Sequence, residues 1–222
     1  MKTLYRTIVD GMLSQSEAPV PEEVPDPVIL RTATSKDAKY AYIILREMIA
    51  SAQARGTGIG FRPVTSIYEK MDKGEAVIAV TKKSTSAGFC YIELWEQGKF
   101  VSNSGMIVSP EFRGRGIATE IKRQIFALCR SRYPQAHICS ITSSSAIMKL
   151  NAKLGFVPVS FPEITKDKNF WNKCRHCVNY PILEGKNFKN CLCTALLYDA
   201  PKPENYIKDQ LAPLLTADPV LS

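Results

Sequence analysis

A glycine-rich, basic turn at residues 113–118 constrains the fold of this chain more than any other segment. An apolar run at 100–108 precedes the turn, and apolar residues at helical spacing follow it, so the pattern predicts a strand, the turn and then a helix. Gly114 and Gly116 allow a ligand to approach the backbone closely, and the unpaired N–H groups of a first helical turn point outwards. With arginines beside it, such a junction is predicted to bind an anion.

The hydrophobic pattern predicts the other elements on both sides of this turn. It predicts strands at 28–31, 76–80, 88–95, 99–108, 137–142, 156–159 and 191–199, and helices at 41–52, 64–71, 117–128 and 144–153. The first helix follows a capping box at residues 34–37. The predicted fold class is therefore α/β, of the α+β kind, with a mixed central sheet of about seven strands flanked by helices.

Prolines and composition predict the domain boundaries. Four prolines within residues 18–27 cannot continue a helix, so 1–27 is predicted as an N-terminal extension with a proline-rich linker. Residues 28–200 form one predicted domain, which contains a cysteine-bearing insertion at 162–190, and 201–222 form a C-terminal tail. A chain of 222 residues is long enough for one well-buried domain of this kind.

Charge and cysteine content narrow the class of partner. The net charge is +8, but acidic residues are interleaved with the lysines and arginines, which favours a small polyanionic ligand over nucleic acid. The sequence has neither a signal-peptide core nor an apolar membrane span, so we predict a cytoplasmic protein without a membrane partner. Seven cysteines in that compartment predict reduced thiols or metal ligands.

The turn also carries a resemblance to a known family. Arg113, Gly116 and Ala118 match the R/Q-x-x-G-x-G/A signature, and the segment ending in Gly155 and Phe156 is similar to a second family motif. With the order of strands and helices, these residues resemble the GCN5-related N-acetyltransferase (GNAT) superfamily over about 28–161. The resemblance implies a GNAT fold in which the turn holds the pyrophosphate of acetyl-coenzyme A or another acyl-coenzyme A (acyl-CoA). The cofactor-binding residues that it implies are Ile107, Val108, Arg113, Gly114, Arg115, Gly116, Ile117, Ala118 and Asn151.

Acyl transfer to an amine requires a base for the nitrogen and a proton for the departing thiolate. On the central strands, Glu93 is the first candidate for the base, and the hydroxyls of Ser102 and Ser104 are further catalytic candidates. The alternative for Glu93 is an ion-paired or solvated strand glutamate. Asn151 stands where many family members have a tyrosine, so it is a candidate for both catalysis and cofactor binding.

The acceptor is predicted to be a small-molecule amine. A weaker resemblance to N-acetylglutamate synthase-type amino-acid acyltransferases of bacterial arginine biosynthesis implies glutamate as the acceptor and acetyl- or succinyl-CoA as the donor. Arg55, Arg62 and Lys99 would then bind the two carboxylates. Other small amines, protein N-termini and lysines stay open, as does a homodimer. The alternative function is a catalytically inactive acyl-CoA sensor or a protein-interaction module.

The cysteines near the end of the chain form a second pattern. Cys174 and Cys177 have the C-x-x-C spacing of a metal-binding turn, and Cys191 and Cys193 are predicted to share one face of the last strand. Four thiolates could enclose a structural zinc ion. Buried reduced thiols and redox chemistry are the alternatives. The insertion is predicted to cover the acceptor site.

Overall fold

A computed structural model of the chain describes residues 26–56 and 62–200. Nearly all of the predicted N-terminal extension, part of the glycine-rich connection after the first helix and the predicted C-terminal tail lie outside these residues. Within the described residues, no helix is long and apolar enough to cross a membrane.

Seven strands form one mixed sheet, which confirms the predicted fold class. Their spatial order is β1-β2-β3-β4-β5-β7-β6, and every neighbouring pair is antiparallel except β4 and β5. The strands are β1 (Val28–Thr32), β2 (Ala76–Thr81), β3 (Ser86–Trp95), β4 (Phe100–Val108), β5 (His137–Thr142), β6 (Val157–Val159) and β7 (Thr194–Tyr198). β7 thus lies between β5 and β6, and β6 forms the outer edge of the sheet.

Seven α-helices accompany the sheet in the described residues. They are α1 (Ala41–Arg55), α2 (Val64–Asp72), α3 (Ile117–Arg132), α4 (Ser145–Lys153), α5 (Phe161–Ile164), α6 (Lys168–Asn172) and α7 (Tyr180–Gly185). The predicted capping box is confirmed: Asp37 accepts a bond from the Thr34 backbone N–H, and a 3₁₀ turn at Ser35–Tyr40 leads into α1. Ser144 caps α4, since its hydroxyl accepts from the Ile147 N–H.

Helices cover both faces of the sheet. On one face, α3 buries Ile121, Ile125 and Cys129 against β2, β3 and β4. On the other face, α1 and α2 pack over β2 and β3, and the aromatic side chains of the insertion pack against Trp95 at the far end of β3. These apolar faces place α3 opposite the insertion, with the sheet between them.

The sheet opens between its two parallel strands. β4 and β5 pair only from Phe100 to Ser102, opposite His137 to Cys139, and the rest of both strands has no partner across this gap. Because β7 pairs with β5 along its whole length, the opening is confined to the β4 side of β5. This gap gives a ligand access to the middle of the sheet.

The last strand begins later than its sequence pattern predicts. β7 starts at Thr194, which pairs with Thr142 at the end of β5, so residues before it have no strand to pair with. Cys191 and Cys193 therefore lie in an irregular segment, and the prediction that they share one face of a strand is wrong. The Cys191 N–H instead bonds the Asn190 side chain, at 2.8 Å.

Candidate functional site

A cavity of about 900 Å³ lies where β4 and β5 diverge. Alternate residues of a strand point to opposite faces, so Tyr91, Glu93 and Trp95 share the insertion face. Asn103 is on the α3 face, where its side chain bonds Cys129 of α3. All four line the cavity, which therefore reaches both sides of the sheet through the gap. Its size suits a small organic ligand.

The first and last residues of the glycine turn line one end of this cavity. Gly114 and Gly116 both have φ of 77°, and no described atom lies within 4 Å of a Cβ placed on either. Gly116 precedes the first turn of α3, so the positive end of the helix dipole faces the open backbone. Arg113 Nε donates to the Val108 carbonyl at 3.1 Å, and Arg113, Ala118, Ile107 and Val108 line the cavity. The turn thus has the geometry predicted for an anion site.

Side chains from distant segments form the other end. Arg62, which follows α1, donates a hydrogen bond to the Tyr91 hydroxyl, and its guanidinium carbon lies 5.2 Å from the Tyr91 ring centroid. Burial raises the pKa of Tyr91, so this hydroxyl is protonated at neutral pH. Gly105 makes room for the pair: at φ of 63°, a Cβ there would lie 2.3 Å from a Tyr91 ring carbon.

Glu93, the first candidate for the base, lines the cavity and is ion-paired. Its carboxylate contacts Lys173 Nζ of the insertion, and the Glu93 side chain is 15% exposed. Lys173 Nζ also lies 4.7 Å from the centroid of the Trp95 ring. The insertion therefore contacts the sheet at the cavity through an ion pair. Glu93 is ion-paired, as its alternative interpretation expects, and its role as the base stays a prediction.

The two serine candidates belong to one hydrogen-bonded chain. Trp95 Nε1 donates to Ser102 Oγ at 2.8 Å, and Ser102 Oγ lies 3.1 Å from Ser104 Oγ. Both hydroxyls face the cavity beside Glu93. Their geometry allows them to pass a proton or orient a polar group of a ligand.

Two buried polar residues on the α3 face were not candidates in the sequence. Lys122 is 1% exposed and Asn103 is 8% exposed, and both line the cavity. Burial lowers the pKa of Lys122. A signal existed for Lys122, since it lies between Ile121 and Ile125 on the buried side of an amphipathic helix. No pattern in the sequence marks Asn103.

Gly114, Arg115, Gly116 and Ile117 lie between two lining residues, Arg113 and Ala118, and are not themselves part of the cavity wall. Two further predicted site residues lie away from the wall. Asn151 is fully buried within α4, and its side-chain nitrogen and oxygen have no hydrogen-bond partner among the described residues. Lys99 precedes β4 and lies over the Phe100 ring, where it lines a separate cavity of about 490 Å³ with Glu163 and Asp167. Their predicted roles in catalysis and carboxylate binding therefore have no support from position.

The cysteines near the insertion are not arranged as metal ligands. In the described residues, no three histidine, cysteine, aspartate or glutamate side chains converge on a point that could hold a metal ion. The Asn179 N–H donates to Cys177 Sγ at 3.4 Å, and Cys191 Sγ lies 3.8 Å from the Asn179 carbonyl. Burial raises the pKa of Cys174 to about 11 and that of Cys193 to about 12. The absence of a converging set of ligands in the described residues favours partly buried, reduced thiols over the zinc site.

The charge of the cavity wall is strongly positive. Glu93 is its carboxylate, whereas the cations are Arg55, Arg62, Arg113, Lys122 and Lys173. Such a field attracts anionic ligands. The wall thus suits a ligand with phosphate groups at the turn and a second molecule with a carboxylate at the insertion face.

A family model for the acetyltransferase (GNAT) domain matches residues 61–170. This range contains the turn, α3 and every strand from β2 to β6. No curated protein matches the sequence.

Solved structures share the fold at low sequence identity. One is N-acetylglutamate synthase from Neisseria gonorrhoeae, complexed with coenzyme A and N-acetyl-glutamate, with a TM-score of 0.55, 14% identity and coverage of 79% of this chain. The chain spans only 36% of that synthase. Rv2747 from Mycobacterium tuberculosis, in complex with CoA and NLQ, has a TM-score of 0.53 and 15% identity, covering 77% of this chain and 98% of its own. A phosphinothricin acetyltransferase from Sinorhizobium meliloti, in complex with AcCoA, has a TM-score of 0.50 and 16% sequence identity. The match covers 77% of this chain and 86% of the acetyltransferase.

Proposed function

Since the chain belongs to the GNAT superfamily, we propose that it transfers an acyl group from acyl-CoA to the amine of a small acceptor that binds in the 900 Å³ cavity. The observation that carries this proposal is the continuity of the cavity. It joins Arg113 and Ala118, the first and last residues of the glycine turn, to a carboxylate, Glu93, on the opposite face of the sheet. A two-substrate transfer needs such a passage, because the reacting groups must meet inside it.

The residues at the turn fit an acyl-CoA. Acyl-CoA supplies the activated acyl group when bound. The open backbone at Gly114 and Gly116, the first turn of α3 and Arg113 would hold its phosphates. Consecutive N–H groups of a strand point to opposite edges, so one of the N–H groups of Ile107 and Val108 would face the unpaired edge of β4, where it would bind the arm and polarise the carbonyl.

The cationic side chains at the end of the cavity away from the glycine turn favour an acceptor that carries a carboxylate. Arg55 and Arg62 line that end of the cavity, and a guanidinium binds a carboxylate through paired N–H donors. We propose an acidic amino acid, with glutamate first, as the acceptor class. Lys99 is not part of this proposal because it lines the other cavity.

Glu93 is the proposed base. An amine must lose a proton to become a nucleophile, and Glu93 lines the cavity on the face that carries Arg62 and Ser104. Lys173, which contacts Glu93, holds the carboxylate in place and connects it to the insertion. The serine chain from Trp95 offers a path for the released proton.

A thiol-release screen tests this function directly. Purified protein is mixed with acetyl- or succinyl-CoA and each of the twenty amino acids, and free thiol is followed with time. We expect turnover with an acidic amino acid. If CoA binds but none of the twenty amino acids releases thiol, transfer to an amino acid is excluded and the sensor alternative is favoured. A preference for an acceptor without an acidic group would contradict the carboxylate assignment.

A matched pair of substitutions tests the base. Glu93→Gln removes the carboxylate, and we expect kcat to fall roughly 10²- to 10⁴-fold, the usual contribution of a general base. Lys173→Met breaks the same ion pair but keeps the carboxylate, so we expect it to retain most of the turnover. Equal losses in the two variants would show that the ion pair, and not proton abstraction, is what matters.

A further inference from the structure

Lys122 and Asn103 bring buried hydrogen-bond donors to the α3 side of the cavity without acceptors for them. No carboxylate pairs with Lys122 among the described residues, and the groups that perturb it electrostatically are the thiols of Cys90 and Cys129. Asn103 Oδ1 accepts from Cys129 Sγ at 3.2 Å, but Asn103 Nδ2 is buried and has no partner in residues 26–56 and 62–200. Buried donors without acceptors are costly, so two of them in one wall indicate a ligand that supplies the acceptors.

Their position in the fold relates them to the glycine turn. Lys122 is one helical turn beyond Ala118, on the helix whose first turn forms the proposed phosphate site. Asn103 is the first residue of β4 after its pairing with β5 ends at Ser102. A ligand that binds the turn and enters the gap therefore meets the α3 wall, where Lys122 lies, before it reaches the carboxylate on the opposite face.

The sulfur of the acyl donor is the group that lacks an assigned partner. Negative charge develops on this atom as the thioester breaks, and a buried cation stabilises such charge more than an exposed one would. Glu93 and the serine chain lie on the insertion face, and Asn151 does not reach the cavity. On the α3 face of the cavity, Lys122 is the buried cation in the gap between β4 and β5, and Arg113 lies at the entrance beside the glycine turn.

We propose that Lys122 Nζ, assisted by Asn103 Nδ2, binds the sulfur of coenzyme A and protonates it when the acyl group leaves. The proposal rests on the proposed function. Lys122 gives one proton to sulfur as the carbon–sulfur bond breaks and its electron pair stays on sulfur. The acceptor nitrogen, which has formed the new bond to the acyl carbon, releases one proton to Glu93. Glu93 passes that proton to solvent in the cavity, and solvent returns one proton to Lys122.

The test compares the affinities of coenzyme A and desulfo-coenzyme A, which lacks the sulfur, by calorimetry. In the unaltered protein we expect coenzyme A to bind about tenfold more tightly or better, the effect of one charge-assisted hydrogen bond. Lys122→Met should bring the two affinities within roughly twofold of each other, because the partner of the sulfur is gone. Asn103→Ala should reduce the preference by a smaller factor.

Two controls separate a lost contact from a lost fold. Methionine replaces lysine at similar volume without a buried charge, so we expect Lys122→Met to melt at the same or a higher temperature. Arg123→Met changes the neighbouring residue, an exposed arginine bonded to Glu120, and should keep the preference for coenzyme A.

Each result decides between the two proposals. A sulfur preference that Lys122→Met abolishes while Arg123→Met retains it supports the assignment. An unchanged preference in Lys122→Met, with both ligands still bound, overturns the role of Lys122 and leaves the proposed function standing. Binding of neither ligand to the unaltered protein overturns both.

Discussion

The two ends of the cavity are built in different ways. At the glycine turn, the site lies within six consecutive residues, with open backbone at Gly114 and Gly116. The Arg113 side chain bonds the Val108 carbonyl, and the Arg115 guanidinium lies over the Phe112 ring. At the acceptor end, the contacts join residues that are far apart in sequence. Arg62 and Tyr91 are 29 residues apart, and Glu93 and Lys173 are 80 apart.

This difference indicates which end of the cavity depends on the path of the backbone and which end depends on individual side chains. A site made of backbone N–H groups depends on the path of the chain and tolerates many side chains. A site made of side chains changes its specificity whenever one of them is replaced. We therefore expect the turn to determine the class of donor, and the acceptor end to determine which amine this particular chain uses.

The largest effect that would test this contrast is expected at Gly105. Gly105→Ala adds a Cβ that would lie 2.3 Å from the Tyr91 ring, at a positive φ, so Tyr91 and Arg62 must move. We expect kcat/KM for the acceptor to fall roughly 10²-fold, as displacements of about 1 Å do at active sites. Steady-state kinetics with the acceptor varied measures this.

The KM for acyl-CoA is the internal control for Gly105→Ala. It should change little, because the turn lies at the other end of the cavity. If the KM for acyl-CoA rose as much as that for the acceptor, the two ends would not be independent, and the contrast between them would fail.

A smaller effect is expected at Gly116. Gly116→Ala also places a Cβ at positive φ, but the space around it is open, so backbone strain of about 1–2 kcal/mol is the main cost. We expect the KM for acyl-CoA to rise roughly 5- to 30-fold and the KM for the acceptor to stay nearly constant. Unchanged kinetics would mean that the donor does not bind at this turn.

The last and smallest expected effect concerns a labelling rate rather than turnover, that of Cys174 in the insertion. Because burial raises the pKa of Cys174 to about 11, its reactive thiolate forms only at alkaline pH. At pH 8 we expect iodoacetamide to label Cys174 about 100-fold more slowly than a thiol with an ordinary pKa. Peptide mass spectrometry measures the rate. Labelling that is as fast as that of free cysteine would show that the segment opens in solution.

Most of the fold could be predicted from the sequence because its apolar periods are local and regular. β5 has the predicted bounds, and α3 begins where the glycines end. β7 is the exception, since its pattern suggests a strand from Cys191 although the ladder with β5 begins only at Thr194. The length of a strand depends on where its neighbour ends, and that information is not local.

The residues of the candidate site, like the strands, could be predicted only in part from the sequence. Nine of the predicted site residues line the cavity: Arg55, Arg62, Glu93, Ser102, Ser104, Ile107, Val108, Arg113 and Ala118. Lys99, Asn151 and the residues inside the turn, 114–117, do not. Lys173 and Asn103 line the cavity, but no sequence pattern indicates this. Lys173 is there because the insertion contacts β3, and Asn103 because the pairing of β4 with β5 ends just before it, and both are tertiary features.

The sequence by itself determined the turn at residues 113–118, since two glycines between an apolar strand and an amphipathic helix specify a backbone conformation locally. It also determined the order of strands and helices through hydrophobic periodicity. Only the tertiary structure decided which side chains share the cavity. That choice depends on the opening between β4 and β5 and on the packing of the insertion against Trp95, both of which join residues distant in the chain.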